Sequence, residues 1–304
     1  MIFANLVHLS YNMWADWDDP ALKGTFNPAK PYLRFDEPLW VELLAAMKKA
    51  GLNMVVIDVG DGVAFASHPE IAVKGAWSRD KLRAELARCR DMGLEPIPKL
   101  NFSTCHDQWL GPYARMVSSP KYYQVCADVI AETIDLFDKP RLFHLGMDEE
   151  TEPHQRTYEY AVIRQHGLWW RDFEFLLKQV EAKGSRGWIW SDYLWDHPDL
   201  FWERMPKKVL QSNWYYGRNF GGDAPRAVSA YRELEDHAFD QVPTLSNWES
   251  TDNIHGTVEF CRKHIKPERL KGFLLASWWP TLPEKREAHM TAIEHFGKAI
   301  ATLG

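Results

Sequence analysis

The chain reads as an α/β protein, a (β/α)8 or TIM barrel built by residues 1–304 as a single domain, and three observations point there. Short apolar runs alternate with helical patterns eight times, the order expected of a parallel sheet with crossover helices. The runs are apolar throughout rather than alternating, so each strand is covered on both faces. A length of 304 residues suits one such barrel, and no linker-like or low-complexity stretch divides it. An open doubly wound sheet would carry a GxGxxG turn after its first strand, and this sequence has none there.

Taken in order, residues 2–9 form the first strand, and residues 13–35 a long loop broken by Pro20, Gly24, Pro28 and Pro31, of a length that suits a lid or binding loop. Asp36 caps a helix with Pro38 in its first turn, and Leu39, Trp40, Leu43, Leu44 and Met47 recur at helical spacing until Gly51. Strand two runs from Asn53 to Val59 and ends among Asp58, Gly60, Asp61 and Gly62. Ser78 caps a second helix, with Leu82, Leu86 and Cys89 on one face and Gly93 as its stop. Strand three, 95–102, ends in Asn101 with Cys105 and His106 beyond, and Ser119-Pro120 opens a helix carrying Val125, Val129, Ile130, Ile134 and Phe137. Strand four starts apolar at Leu142, Phe143 and Leu145 and ends in Asp148, Glu149 and Glu150, which are too costly to bury unpaired inside a sheet. The remaining strands fall at 187–192, 208–216, 243–249 and 271–279, and the remaining helices at 160–183, 198–205, 223–239, 252–265 and 284–301.

Composition narrows the partners. A net charge of −6 offers no basic footprint, so nucleic acid is not expected. No run of 18 apolar residues and no signal-peptide pattern is present, so no membrane is expected and a cytoplasmic location is. Cys89, Cys105, Cys126 and Cys261 are widely spaced without a CxxC pair, consistent with reduced thiols and with neither a disulfide framework nor a zinc site. No metal and no cofactor is expected, and the oligomeric state is left open. The unusual figure is 15 tryptophans, a surplus that serves either core packing or a cleft that stacks on flat ligands.

Barrel chemistry sits at the C-terminal strand ends. Polar and aromatic residues collect there: Asp58 and Asp61, Asn101 and His106, His144, Asp148 and Glu149, Trp190 and Asp192, Trp214 and Tyr215, Trp248 and Glu249, and Trp278. Aromatic walls with carboxylates and amides suit a pyranose, whose C–H faces stack on rings while its hydroxyls seek polar partners. A carbohydrate is therefore the expected ligand.

These residues carry a family resemblance. His144-Leu145-Gly146-Met147-Asp148-Glu149 resembles the HxGGDE end of strand four in family-20 glycoside hydrolases, the β-N-acetylhexosaminidases. Residues 51–61, Gly75-Ala76-Trp77-Ser78-Arg79 and Gly93-Leu94-Glu95-Pro96-Ile97-Pro98 are similar to other stretches of that family, and His106 falls close to the histidine of its PGH turn. The resemblance implies a retaining, substrate-assisted hydrolase of a β-linked 2-acetamido sugar. It implies Glu149 as general acid/base, kept protonated by the charge of Asp148, and Asp148 as the partner of the acetamido group. It further implies a relay from Asp61 through His106 to Glu149, with His144 in the sugar subsite.

The chain also departs from the family. Met147 replaces the second glycine and narrows the space beside the acidic pair. The strand-one arginine is missing, with Arg34 as a substitute, and Trp278-Trp279-Pro280 lacks the glutamate of Trp-x-Glu. Other readings are a retaining glycosidase with Glu149 as acid/base and Glu249 as nucleophile on a non-acetamido sugar, a non-catalytic carbohydrate-binding barrel, and a metal site of His8, Asp58, His144 and Glu149.

Overall fold

A computed structural model describes residues 1–17 and 19–303; Asp18, part of the loop expected over 13–35, lies outside the described residues. Eight parallel strands are ordered β6-β5-β4-β3-β2-β1-β8-β7, with β1 Ile2–His8, β2 Met54–Asp58, β3 Glu95–Lys99, β4 Leu142–His144, β5 Arg186–Trp190, β6 Leu210–Ser212, β7 Thr244–Leu245 and β8 Gly272–Ala276. The two ends of this order meet. Bridges Gln211↔Gln241 and Trp214↔Thr244 bring β6 alongside β7, and Val242 N donates to Gln211 O at 2.8 Å. The helices are α1 Glu37–Lys49, α2 Arg79–Asp91, α3 Pro120–Leu136, α4 His166–Ala182, α5 Tyr193–Asp196, α6 Pro198–Arg204, α7 Arg226–Asp236, α8 Asp252–His264 and α9 Arg286–Ile300. The expected caps form: Asp36 Oδ1 accepts from Leu39 N at 2.7 Å, Ser78 Oγ from Lys81 N at 3.1 Å, and Ser119 Oγ from Tyr122 N at 3.2 Å. Among the described residues no helix is long and apolar enough to cross a membrane, and the four cysteines are buried and unpaired.

Side chains alternate along each strand, which separates two apolar clusters. Val7, Val55, Ile57, Phe143 and Leu275 face the helices, whereas Ala4, Leu6, Met54, Val56, Ile97, Trp188, Trp190 and Leu274 fill the barrel interior. Above that interior lies a polar layer fixed by register, His8↔Asp58, Asp58↔Lys99 and Lys99↔His144. Lys99 Nζ donates to Asp58 Oδ2 at 2.6 Å, and His8 Nδ1 lies 3.2 Å from the same oxygen. This ionic layer is the floor under the strand ends.

Several elements are shorter than expected. Strand four stops at His144, because Gly146, Met147 and Glu149 take left-handed backbone with φ of 70°, 76° and 55°. Strands six and seven shrink to three and two residues, and around them the pairing continues as the isolated bridges Gln211↔Gln241, Trp214↔Thr244 and Gln241↔Leu270. Helix α4 begins at His166 rather than near 160, and residues 152–157 form a short 3-10 turn instead.

Candidate active site

At the mouth, Tyr11, Trp14, Asn27, Asp148, Glu149, Trp214, Tyr216, Trp248, Glu249 and Trp278 line a cleft of about 270 Å³. Its floor is made by the sharp exit from β4. Gly146 is required there: a Cβ would collide with the Asn101 side chain and its Cα, and φ is positive. Asn101 then holds the turn, its Oδ1 accepting from Met147 N at 3.1 Å and from Ser103 N at 3.1 Å, while its Nδ2 donates to Asp148 Oδ1 at 2.8 Å. Asp192, beyond β5, accepts the Glu149 backbone N–H at 2.8 Å and the Trp214 indole N–H at 3.3 Å. Asn101 and Asp192 thus act on the acidic pair rather than on the cleft surface.

His106 lies between the two carboxylates, its Nε2 at 3.2 Å from Glu149 Oε2 and 3.5 Å from Asp148 Oδ2, with Nδ1 at 3.3 Å from the Met13 carbonyl oxygen. A second imidazole, His154, reaches the other Glu149 oxygen, Oε1, at 3.4 Å. The proton distribution follows from these contacts. Burial favours neutral His106, but the charges of Asp148 and Glu149 outweigh it and raise the imidazole to about 9. Burial pushes Glu149 up, yet the two imidazoles more than offset this and hold it below the usual carboxylate range. Burial raises Asp148, opposed by His106 and assisted by the charge of Glu149. Asp192 is raised to about 8 by burial first and the Asp148 charge second. The two imidazoles thus favour the anionic form of Glu149, while burial and the Glu149 charge favour the neutral form of Asp148.

His106, Asp148 and Glu149 each offer one atom within 4.8 Å of the others. Of the four residues weighed for a metal only Glu149 belongs to this set, and His8, Asp58 and His144 do not join it. Nor do His8, Asp58, His144 and Glu149 assemble as ligands, because the Lys99 ammonium pairs with Asp58 where a cation would sit.

Other expectations are redirected by burial. Asp61 accepts from Ser10 Oγ at 2.5 Å and from Asn12 Nδ2 at 2.8 Å, so it ties the first strand end rather than orienting His106. Asp58 belongs to the ionic floor. His144 is fully buried, with Nδ1 accepting from Gly146 N at 3.0 Å and its ring 4.3 Å from that of Trp190. Trp190 plugs the barrel interior below the cleft. Tyr215 points outward, where its hydroxyl accepts from Asn219 N at 3.1 Å, while its neighbours Trp214 and Tyr216 face the cleft. Met147 packs into the helix-facing core and leaves the cleft unobstructed, so the expected narrowing does not occur. Arg34 spends its donors on Phe26 O, Tyr11 O and Asn12 Oδ1, anchoring the long loop instead of facing a ligand. Trp214, Trp248, Glu249 and Trp278 do line the cleft. Tyr11, Asn27 and His154 were not singled out from sequence, whereas Tyr216 follows from Trp214 by strand alternation.

No protein-family model matches the chain, and no curated protein matches it. Solved structures do. A β-N-acetylhexosaminidase from Bacteroides fragilis superposes with a TM-score of 0.64 at 12% identity, over 99% of this chain and 69% of that one. A GH20 exo-β-N-acetylglucosaminidase from Vibrio harveyi, in complex with N-acetylglucosamine, gives 0.63 at 12% identity over 99% and 56%. A mutant Streptomyces plicatus β-hexosaminidase in complex with its product GlcNAc gives 0.64 at 12% identity over 97% and 63%. The chain thus shares the barrel fold of these proteins and spans between 56% and 69% of their lengths.

Proposed function

We propose that this protein is a glycoside hydrolase that cleaves a β-linked 2-acetamido sugar with retention, the substrate's acetamido oxygen acting as nucleophile. The observation that carries this reading is an acidic pair, Asp148 and Glu149, bridged by one imidazole on the floor of a cleft walled by Trp14, Trp214 and Trp278. The acetamido sugars and hexosaminidases named among the structurally similar proteins support it.

The sugar ring stacks its C–H faces on the indoles. Glu149, once protonated, gives its proton to the glycosidic oxygen as the C1–O bond breaks. The acetamido oxygen bonds to C1, and the positive charge of the resulting oxazolinium lies next to Asp148. That charge favours the ionised form of Asp148, whose Oδ1 is already held by Asn101. A water then attacks C1, giving its proton to Glu149 and reopening the ring with retained configuration. Asp192 acts as a positioning residue through the Glu149 backbone.

A panel of chromogenic β-glycosides with and without a 2-acetamido group, run with and without a thiazoline mimic of the oxazolinium, tests this. Cleavage confined to acetamido substrates and blocked by the mimic is expected; hydrolysis that ignores the mimic overturns it. A second reading draws on Glu249, which lines the same cleft and has no side-chain partner among the described residues. As a nucleophile it would support cleavage of glycosides lacking the acetamido group, with that activity lost in Glu249→Ala.

A further inference from the structure

Glu149 is contacted by two imidazoles whose surroundings differ in kind. His106 is buried, and both of its nitrogens face acceptors: the Met13 carbonyl oxygen at Nδ1, and the Glu149 and Asp148 carboxylates at Nε2. A carbonyl oxygen cannot donate a proton, so discharging His106 at either nitrogen would break a favourable contact. This is a fixed cation. His154 lies in the turn Glu152–Thr157, its side chain 46% exposed, with Nε2 at 3.4 Å from Glu149 Oε1. Its Nδ1 lies 2.7 Å from the Thr151 hydroxyl. A hydroxyl both donates and accepts, so it satisfies Nδ1 whether that nitrogen bears a proton or a lone pair. His154 can therefore be charged and discharged without reorganisation, and it touches solvent on one side and Glu149 on the other.

From this contrast we infer that His154 is the proton carrier between solvent and Glu149, while His106 remains a fixed charge. The inference rests on the hydrolase reading for its purpose but not for its geometry. Contact with two imidazoles favours Glu149 as the anion, yet it must be protonated to release a leaving oxygen. Doubly protonated His154 gives its Nε2 proton to Glu149 Oε1, and the imidazole is left as the neutral Nδ1–H tautomer, donating to Thr151 Oγ1. A hydronium ion or buffer acid from solvent then reprotonates Nε2, its conjugate base leaving into solvent, through the half-exposed side chain. One proton moves from imidazolium to carboxylate, and no other bond changes. The charged groups acting on His154 are Glu149, which raises its affinity for protons, with Asp192 acting in the same direction and His106 opposing.

Two measurements test this. In the parent, the His154 ring resonance followed by NMR should titrate above the ordinary histidine range, and in Glu149→Gln it should fall back by at least half a pH unit. This readout is independent of any activity, so it distinguishes failure of the carrier from failure of the hydrolase assignment. An unchanged His154 titration in Glu149→Gln would overturn the proposal. On the kinetic side, His154→Gln keeps a hydrogen bond to Glu149 but cannot shuttle a proton, and kcat should fall by about 10²-fold with KM little changed. His154→Ala should be rescued by free imidazole, which can enter the space left at this half-exposed position. A His154→Gln variant with parental kcat, or a His154→Ala variant that is inactive with and without imidazole yet folded by circular dichroism, counts against the carrier.

Discussion

At the scale of single residues, function depends on which atoms hold protons. Replacing Glu149 with Gln keeps the shape and removes the acid, so kcat/KM should drop by about 10²–10⁴-fold while sugar binding, measured by tryptophan fluorescence, persists. The His106 contacts bear on stability as well. Its folded-state value, about 9, lies above the ordinary 6.5, so its contribution is fully present below pH 6.5 and is lost as pH rises through 9. His106→Gln should therefore be less stable than the parent at pH 6, by on the order of 2–3 kcal/mol, with the gap closing near pH 10. Urea denaturation at the two pH values checks this, and a gap that does not narrow rejects it. Asp148 and Glu149 were legible in sequence because three successive carboxylates after an apolar run have few places to go. The push on Glu149 toward its anion was not, since it comes from His106 and from His154, the latter five residues beyond Glu149 and returned to it by a 3-10 turn.

At the scale of elements, the strand ends decide which way each side chain points. The exit from β4 needs Gly146, and Gly146→Ala should lower the melting temperature and weaken activity together, because the added Cβ displaces Asn101 from Met147 N and Asp148. The cost is about 2–4 kcal/mol, combining a left-handed backbone with a core clash. Beneath that turn, Lys99→Met would leave the Asp58 carboxylate buried without its cation, at about 3–5 kcal/mol, and adding Asp58→Asn should recover part of the loss. Thermal unfolding of the single and double variants measures both effects; a double variant no better than Lys99→Met would show that the pair is not coupled. Helix starts at Asp36, Ser78 and Ser119 were legible because capping chemistry is local. The assignment of Asp61 to His106 was not safe by the same means. Two buried oxygens take the nearest donors, and those belong to Ser10 and Asn12 at the end of β1.

At the scale of the whole molecule, the sheet links the ends of the chain, since β1 pairs with both β2 and β8. Removing residues 1–8 would open the ladder on two sides and expose the interior cluster, so that variant is expected to be insoluble or molten, as judged by near-ultraviolet circular dichroism. A cooperative, native-like signal from it would contradict the closure described above. The sequence by itself determined the barrel, its eight strand-helix units, the caps and the acidic end of β4, because apolar periodicity, capping and the cost of burying charge are written in neighbouring residues. Only the tertiary structure decided which strand-end residues meet the cleft. Whether His144, Trp190 and Asp58 face ligand or floor depends on strand register and on the Lys99 ammonium arriving from the next strand, and these are relations between residues dozens of positions apart.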